Sequence, residues 1–158
     1  MHHRLTLSTA LVALVTTLAV VAAEAQGPPR TPINVDAQGV ALHGRDAVAY
    51  FTDGKAVSGS ASFEHRWSGA IWRFATAANR DAFAAAPERY APQYGGYCAW
   101  AVSRNYTADI DPEAFAVVDG KLYVNYSTLV QVRWRVSRDS NIKAANKNWP
   151  GLKAQAPQ

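Results

Sequence analysis

Ser62-Phe63-Glu64-His65-Arg66-Trp67, then Ser68-Gly69, then Ala70-Ile71-Trp72-Arg73-Phe74, is the stretch that sets the fold class. Apolar and polar side chains alternate in both arms, as they do in half-buried strands, and Ser-Gly supplies the turn between them. The same grammar recurs in Ala114-Phe115-Ala116-Val117-Val118, Asp119-Gly120 and Lys121-Leu122-Tyr123-Val124. Asp-Gly between β-prone runs is a strong hairpin signal. Helical segments fill the gaps. Thr76 caps a predicted helix from Ala77 to Ala86 that stops at Pro87. Ser127 caps a second through Leu129–Trp134. Asn141 caps a third through Ile142–Trp149, ended by Pro150-Gly151. Hairpins interleaved with short helices predict one small α+β domain with two antiparallel hairpins, not a parallel doubly wound sheet. No internal repeat is visible in the residues.

Outward from this centre, the chain ends read differently. Met1-His2-His3-Arg4 is a short basic start, Leu5 to Ala23 is mostly apolar, and Ala23-Glu24-Ala25 is a small-x-small pattern. This predicts a signal peptide over 1–25, cleaved after Ala25, with a periplasmic or secreted product. An uncleaved anchor is the alternative, because the apolar run approaches the roughly 20 residues that span a bilayer. Residues 26–38 read as a flexible, Pro- and Gly-rich lead-in, 39–153 as the domain and 154–158 as a frayed tail. No second apolar run of spanning length follows the signal.

The net charge is +4, and loss of Arg4 and Glu24 with the signal leaves it unchanged. The basic residues are scattered apart from Arg133, Arg135 and Arg138. Export argues against nucleic acid as their partner. A solvated helix face is the plain reading, and weak attraction to an anionic membrane surface is the other.

Three segments together resemble a YHS domain: Gly44-Arg45-Asp46-Ala47-Val48-Ala49-Tyr50-Phe51, the Phe63–Phe74 hairpin with its Glu64-His65 and two tryptophans, and Phe83 followed by Pro87-Glu88-Arg89-Tyr90. The resemblance places the YHS core at about 46–90. Tyr94-Gly95-Gly96-Tyr97-Cys98-Ala99-Trp100 and the second hairpin are similar to the exported subgroup of YHS domain-containing proteins. The resemblance implies a small α+β binding module associated with heavy-metal handling. The cysteines it expects fall at Ala49, Ala75 and Asn79, so the usual thiolate set is absent. Asp46, His65 and the packing aromatics survive.

Cys98 is the only cysteine, and a lone thiol cannot close an intramolecular disulfide. No acidic side chain lies between Arg89 and Ala108, and Gly95-Gly96 can open a short helix through Tyr97 to Ser103. A cysteine at a helix start in a basic setting is expected to have a lowered pKa. A buried, inert thiol is the alternative. The candidate metal ligands are Cys98, His65, His43 and Asp46. Each has a plainer role: His65 as a core or edge residue, His43 as a surface residue, Asp46 as an acceptor for turn amides. Tyr50, Tyr94, Tyr97 and Trp100 are candidate pocket walls or core. Asn105-Tyr106-Thr107 and Asn125-Tyr126-Ser127 match the glycosylation acceptor pattern.

No phosphate loop, serine triad motif or HExxH is present, which leaves little basis for an enzyme. Three functions compete: a module binding copper or zinc through Cys98 and His65, a single-cysteine thiol-redox protein with a thiol partner, and an interaction domain with an inert thiol. The first two expect the Cys98 segment to fold back beside the first hairpin, bringing the thiol to His65.

Overall fold

A computed structural model describes residues 32–155. The predicted signal peptide, the first part of the lead-in and the last residues of the tail lie outside them. The α+β architecture is as read. Strands β1 (Ser60–Trp67) and β2 (Ala70–Phe74) form one antiparallel pair, and β3 (Asp111–Val118) and β4 (Lys121–Asn125) form another. Six helices accompany them: α1 (Ala49–Thr52), α2 (Ala77–Ala85), α3 (Pro87–Tyr90), α4 (Ala99–Ser103), α5 (Thr128–Val136) and α6 (Arg138–Ala154). Both hairpin turns have two positive-φ residues, Ser68 (51°) with Gly69 (77°) and Asp119 (50°) with Gly120 (72°). A type I′ turn requires that pair, and its twist matches the strands it joins. Thr76 accepts the Asn79 amide and Ser127 accepts the Val130 amide, so both predicted caps form.

The third helix differs from its prediction. It starts at Arg138, well before Asn141, and runs on through Pro150. Asn141 does not cap its own helix. It is buried, and its side-chain amide donates to the Trp134 carbonyl near the end of α5, joining the two helices. Pro150 removes the bond that its amide would give the Asn146 carbonyl. Buried Leu152 holds the last turn in place beyond it.

The structure also contains an internal repeat that the residues hide. From β1 to β3 the start moves from 60 to 111, from β2 to β4 from 70 to 121, from α2 to α5 from 77 to 128, and from α3 to α6 from 87 to 138, always a step of 51 residues. The registers repeat too. Ser60 pairs with Phe74 and Glu64 with Arg73, and Asp111 pairs with Asn125 and Phe115 with Val124, so each long strand bulges at the same place. Each unit opens with a 3-10 turn, Leu42–Gly44 or Gln93–Gly96, leading into α1 or α4. Two identities mark the equivalence, Gly44 with Gly95 and Gly69 with Gly120, and two similar pairs join them, Thr76 with Ser127 as caps and Phe83 with Trp134 as the helix anchors, both fully buried. The repeated elements share backbone demands while their side chains differ.

The core has two parts. Trp72, Phe74, Phe83, Tyr50, Leu122 and Val124 pack in one, and Tyr94, Tyr123, Trp134, Ala145 and Leu152 in the other. The end of the predicted lead-in belongs to this body. Ile33 is buried, the Asn34 amide donates to the Gly95 carbonyl at 2.8 Å, and Val35 bridges to Ala41. The lead-in's looseness therefore does not extend through Ile33–Val35, because a buried side chain and ladder bonds offset the ordering cost.

Candidate functional site

Asp46 is fully buried at the start of the first unit, and four donors converge on its carboxyl group. One oxygen accepts the amides of Val48 (2.8 Å) and Ala49 (3.2 Å). The other accepts the Ala75 amide (2.9 Å) and the Asn79 side-chain amide (2.7 Å). Asp46 thus fills the turn role foreseen for it, and further ties α1 to the end of β2 and to α2. The three positions at which the YHS resemblance expects thiols, Ala49, Ala75 and Asn79, all contribute to this knot. Sequence separation concealed their convergence.

Cys98, one residue past the 51-residue step from Asp46, plays a similar part in the second unit. Its sulfur accepts the Tyr126 amide at 3.2 Å, and Tyr126 lies one repeat step beyond Ala75. The thiol also faces Asn125 Oδ1 at 3.9 Å, which in turn accepts the Trp100 amide at 3.2 Å. Cys98 immediately precedes α4 and is 1% exposed. Burial pushes its thiol pKa up, against the weaker pull of the Ala101, Tyr126 and Trp100 amides. This reverses the lowered pKa expected from the basic setting. The helix is only five residues long, and desolvation outweighs its start. Asn125 is fully buried too, which removes one of the two glycosylation patterns from the surface, while Asn105 is exposed.

The other proposed ligands stand elsewhere. His43 Nε2 lies 2.7 Å from Asp109 Oδ1 on the surface, and Asn34 also donates to that oxygen. Burial works to raise the Asp109 carboxyl, but these bonds outweigh it and hold it low. The His65 ring on β1 packs edge-on to Phe83, with centroids 6.1 Å apart. Cys98 shares a buried cluster with Trp72 and Phe74 of the first hairpin, but no hydrogen bond joins it to His65, and its polar partners come from α4 and the end of β4. The expected thiol–imidazole couple is replaced by a thiol–amide one. Among the described residues no group of three or more His, Cys, Asp or Glu side chains could hold a metal ion. With Asp46 filled by donors and no thiolate set, the described residues offer a soft transition metal no assembled site.

The four candidate pocket aromatics divide. Tyr50 is buried with its hydroxyl donating to the Pro112 carbonyl, and Tyr97 packs near Trp149 in the second core. Half-buried Trp100 carries the Arg104 guanidinium over its ring at 4.2 Å. Tyr94 alone lines a substantial cleft, of about 550 Å³. Trp67 from the first hairpin, Trp149 and Asn146 from α6, and Pro92 and Gly95 wall the cleft with it, and Glu88 and Lys153 supply opposite charges. Tyr94 has φ 56° and ψ 38°, the left-handed region that non-glycine residues seldom enter. Its hydroxyl donates to Asn146 Oδ1 at 2.9 Å, and its ring lies beside Tyr123 and Trp149. Packing therefore holds this strained backbone at the cleft wall. Trp67 and Trp149 were missed as site residues. Pro92 and Gly95-Gly96 were the local signal, but the cleft needs α6, 50 residues further on, to close it.

No known family profile, curated protein or solved structure matches the chain. The likeness to YHS domains rests on the residues quoted above.

Proposed function

We propose that this chain is an exported YHS-like binding module that seats a small amphipathic molecule in the Trp67–Tyr94–Trp149 cleft. The observation that carries the reading is the cleft itself. Its volume of about 550 Å³ falls within the roughly 300–1,000 Å³ of small-molecule sites. Tyr and Trp rings offer stacking surface, while Glu88, Lys153, Gln93 and Asn146 offer charge and hydrogen bonds around it. A ligand with a ring or alicyclic face and at least one charged group suits these walls. In this reading the thiol is a structural acceptor, and neither metal ligation nor redox exchange is its task.

The test is an NMR titration of isotope-labelled protein with aromatic amines, aromatic carboxylates and short proline-containing peptides. Binders should shift the Trp67 and Trp149 indole N–H signals and the Gly95 amide, and Trp149→Ala should abolish those shifts. A panel that leaves all three signals unmoved at millimolar concentration would overturn the proposal.

A further inference from the structure

Helix α5 turns its charged and buried sides where a packed helix should, yet its outer face is aliphatic. Leu129 is 62% exposed, Val132 57% and Val136 81%. At 100° per residue these three fall within about 60° of one another. Arg133 flanks the stripe on one side and Arg135 on the other, and α5 contains no acidic residue. Tyr126, 60% exposed, stands just before the helix. Arg135 reaches the Phe115 carbonyl at 3.4 Å, and Arg138 beyond the helix is paired with Asp139.

The internal repeat supplies a control for what the fold itself requires. One repeat step earlier, α2 carries Ala78, Asp81 and Ala85 where α5 carries Leu129, Val132 and Val136, and all three are exposed. Ala82 and Ala84 stand where α5 has Arg133 and Arg135. The same scaffold position therefore tolerates small or acidic residues. Folding does not explain three aliphatic side chains and two arginines there.

We infer that the outer face of α5 docks on an anionic lipid surface. A nine-residue helix is roughly 13 Å long and 10 Å wide, far short of the roughly 800 Å² per partner of a stable protein interface. A bilayer demands no complementary shape. It accepts a short aliphatic stripe lying in the interface plane, with arginines extending sideways to the phosphates. The absence of acid on α5 and the arginines on both sides of the stripe complement negative charge.

The test uses the full chain bearing an environment-sensitive nitrobenzoxadiazole label on Val136→Cys, with Lys55→Cys as an exposed reference site. Cys98 is buried and reacts far more slowly than the exposed sites, so a brief reaction labels those sites alone. Vesicles of phosphatidylglycerol and of phosphatidylcholine, each doped with a nitroxide lipid, report local depth. The label at 136 should be quenched by phosphatidylglycerol vesicles, less so by phosphatidylcholine, and the reference label by neither. Because the readout is local, attachment through the N-terminal apolar segment does not imitate it. Arg133→Glu with Arg135→Glu should weaken the effect about 30-fold or more, and high salt should reduce it. Two outcomes overturn the inference. One is equal quenching by both lipids that ignores the charge reversal. The other is a label at 136 already shielded without vesicles, which would mean that a second copy or another part of this chain covers the face.

Discussion

Replacing Asp46 by Asn keeps the shape of the side chain and reverses the sense of half of it. All four partners of the carboxyl group are donors, two at each oxygen. The introduced side-chain amide can offer its oxygen to only one pair, so its NH2 faces the other. At least one backbone donor is left buried against another donor, and the remaining bonds lose the charge that strengthened them. At about 1–3 kcal/mol for each buried unsatisfied group, the expected loss is roughly 2–5 kcal/mol. For a domain of this size that is a fall in Tm on the order of 10 °C. Denaturant unfolding of wild type and Asp46→Asn measures it directly. Asp46→Asn within about 0.5 kcal/mol of wild type would refute the knot.

Three other expectations follow from the same geometry. A Cβ at Gly95 would sit 2.0 Å from the Pro32 carbonyl oxygen, at φ 61°, so Gly95→Ala should cost about 3 kcal/mol or more in urea unfolding; a near-neutral variant would mean that 32–34 is not packed as described. At Gly120, φ is 72° and nothing lies within 4 Å of an added Cβ, so Gly120→Val should show only the conformational cost, roughly 1–2 kcal/mol, and an unchanged Tm would contradict the turn. Stability should fall as pH rises above about 8.5, the ordinary cysteine value, because the unfolded chain then releases a proton that buried Cys98 retains. Tyr50, Tyr94 and Tyr123, also pushed up by burial, continue the loss above about pH 10. Cys98→Ala should flatten only the first stage, and an identical pH slope in that variant would exclude the thiol as its source.

The hairpins and two helix caps were legible because their signals are local. Ser68-Gly69, Asp119-Gly120, Thr76 and Ser127 act on backbone within three residues of themselves. Asn141 looked like a cap by the same rule, but its amide serves a carbonyl on the preceding helix, and only tertiary packing could say so. The repeat was illegible because a shared backbone can be met by Phe83 in one unit and Trp134 in the other. The protonation state of Cys98 was misjudged for a related reason. The basic sequence around it is visible, whereas the desolvation that outweighs it depends on β4, which supplies Asn125 and packs over the sulfur. The expected approach of the Cys98 segment to the first hairpin is met in packing, since Cys98 shares a buried cluster with Trp72, Phe74 and Phe83, while its polar partners come from α4 and the end of β4.

Asp46 and Cys98 accept equivalent amides, Ala75 and Tyr126, and this gives the two halves unequal visibility to chemistry. The carboxyl knot in the first unit is one acid among many to a carboxyl reagent, whereas the lone sulfur in the second becomes available to a thiol reagent whenever the Tyr126 amide and the β4 end let go of it. Under conditions where reclosing outpaces labelling, the slow alkylation rate of the lone thiol relative to a free one is the population of the opened second unit. The protein thus carries a built-in gauge of local unfolding on one side of an internal duplication, and its reading against the global stability would tell whether the two repeats unfold together or apart.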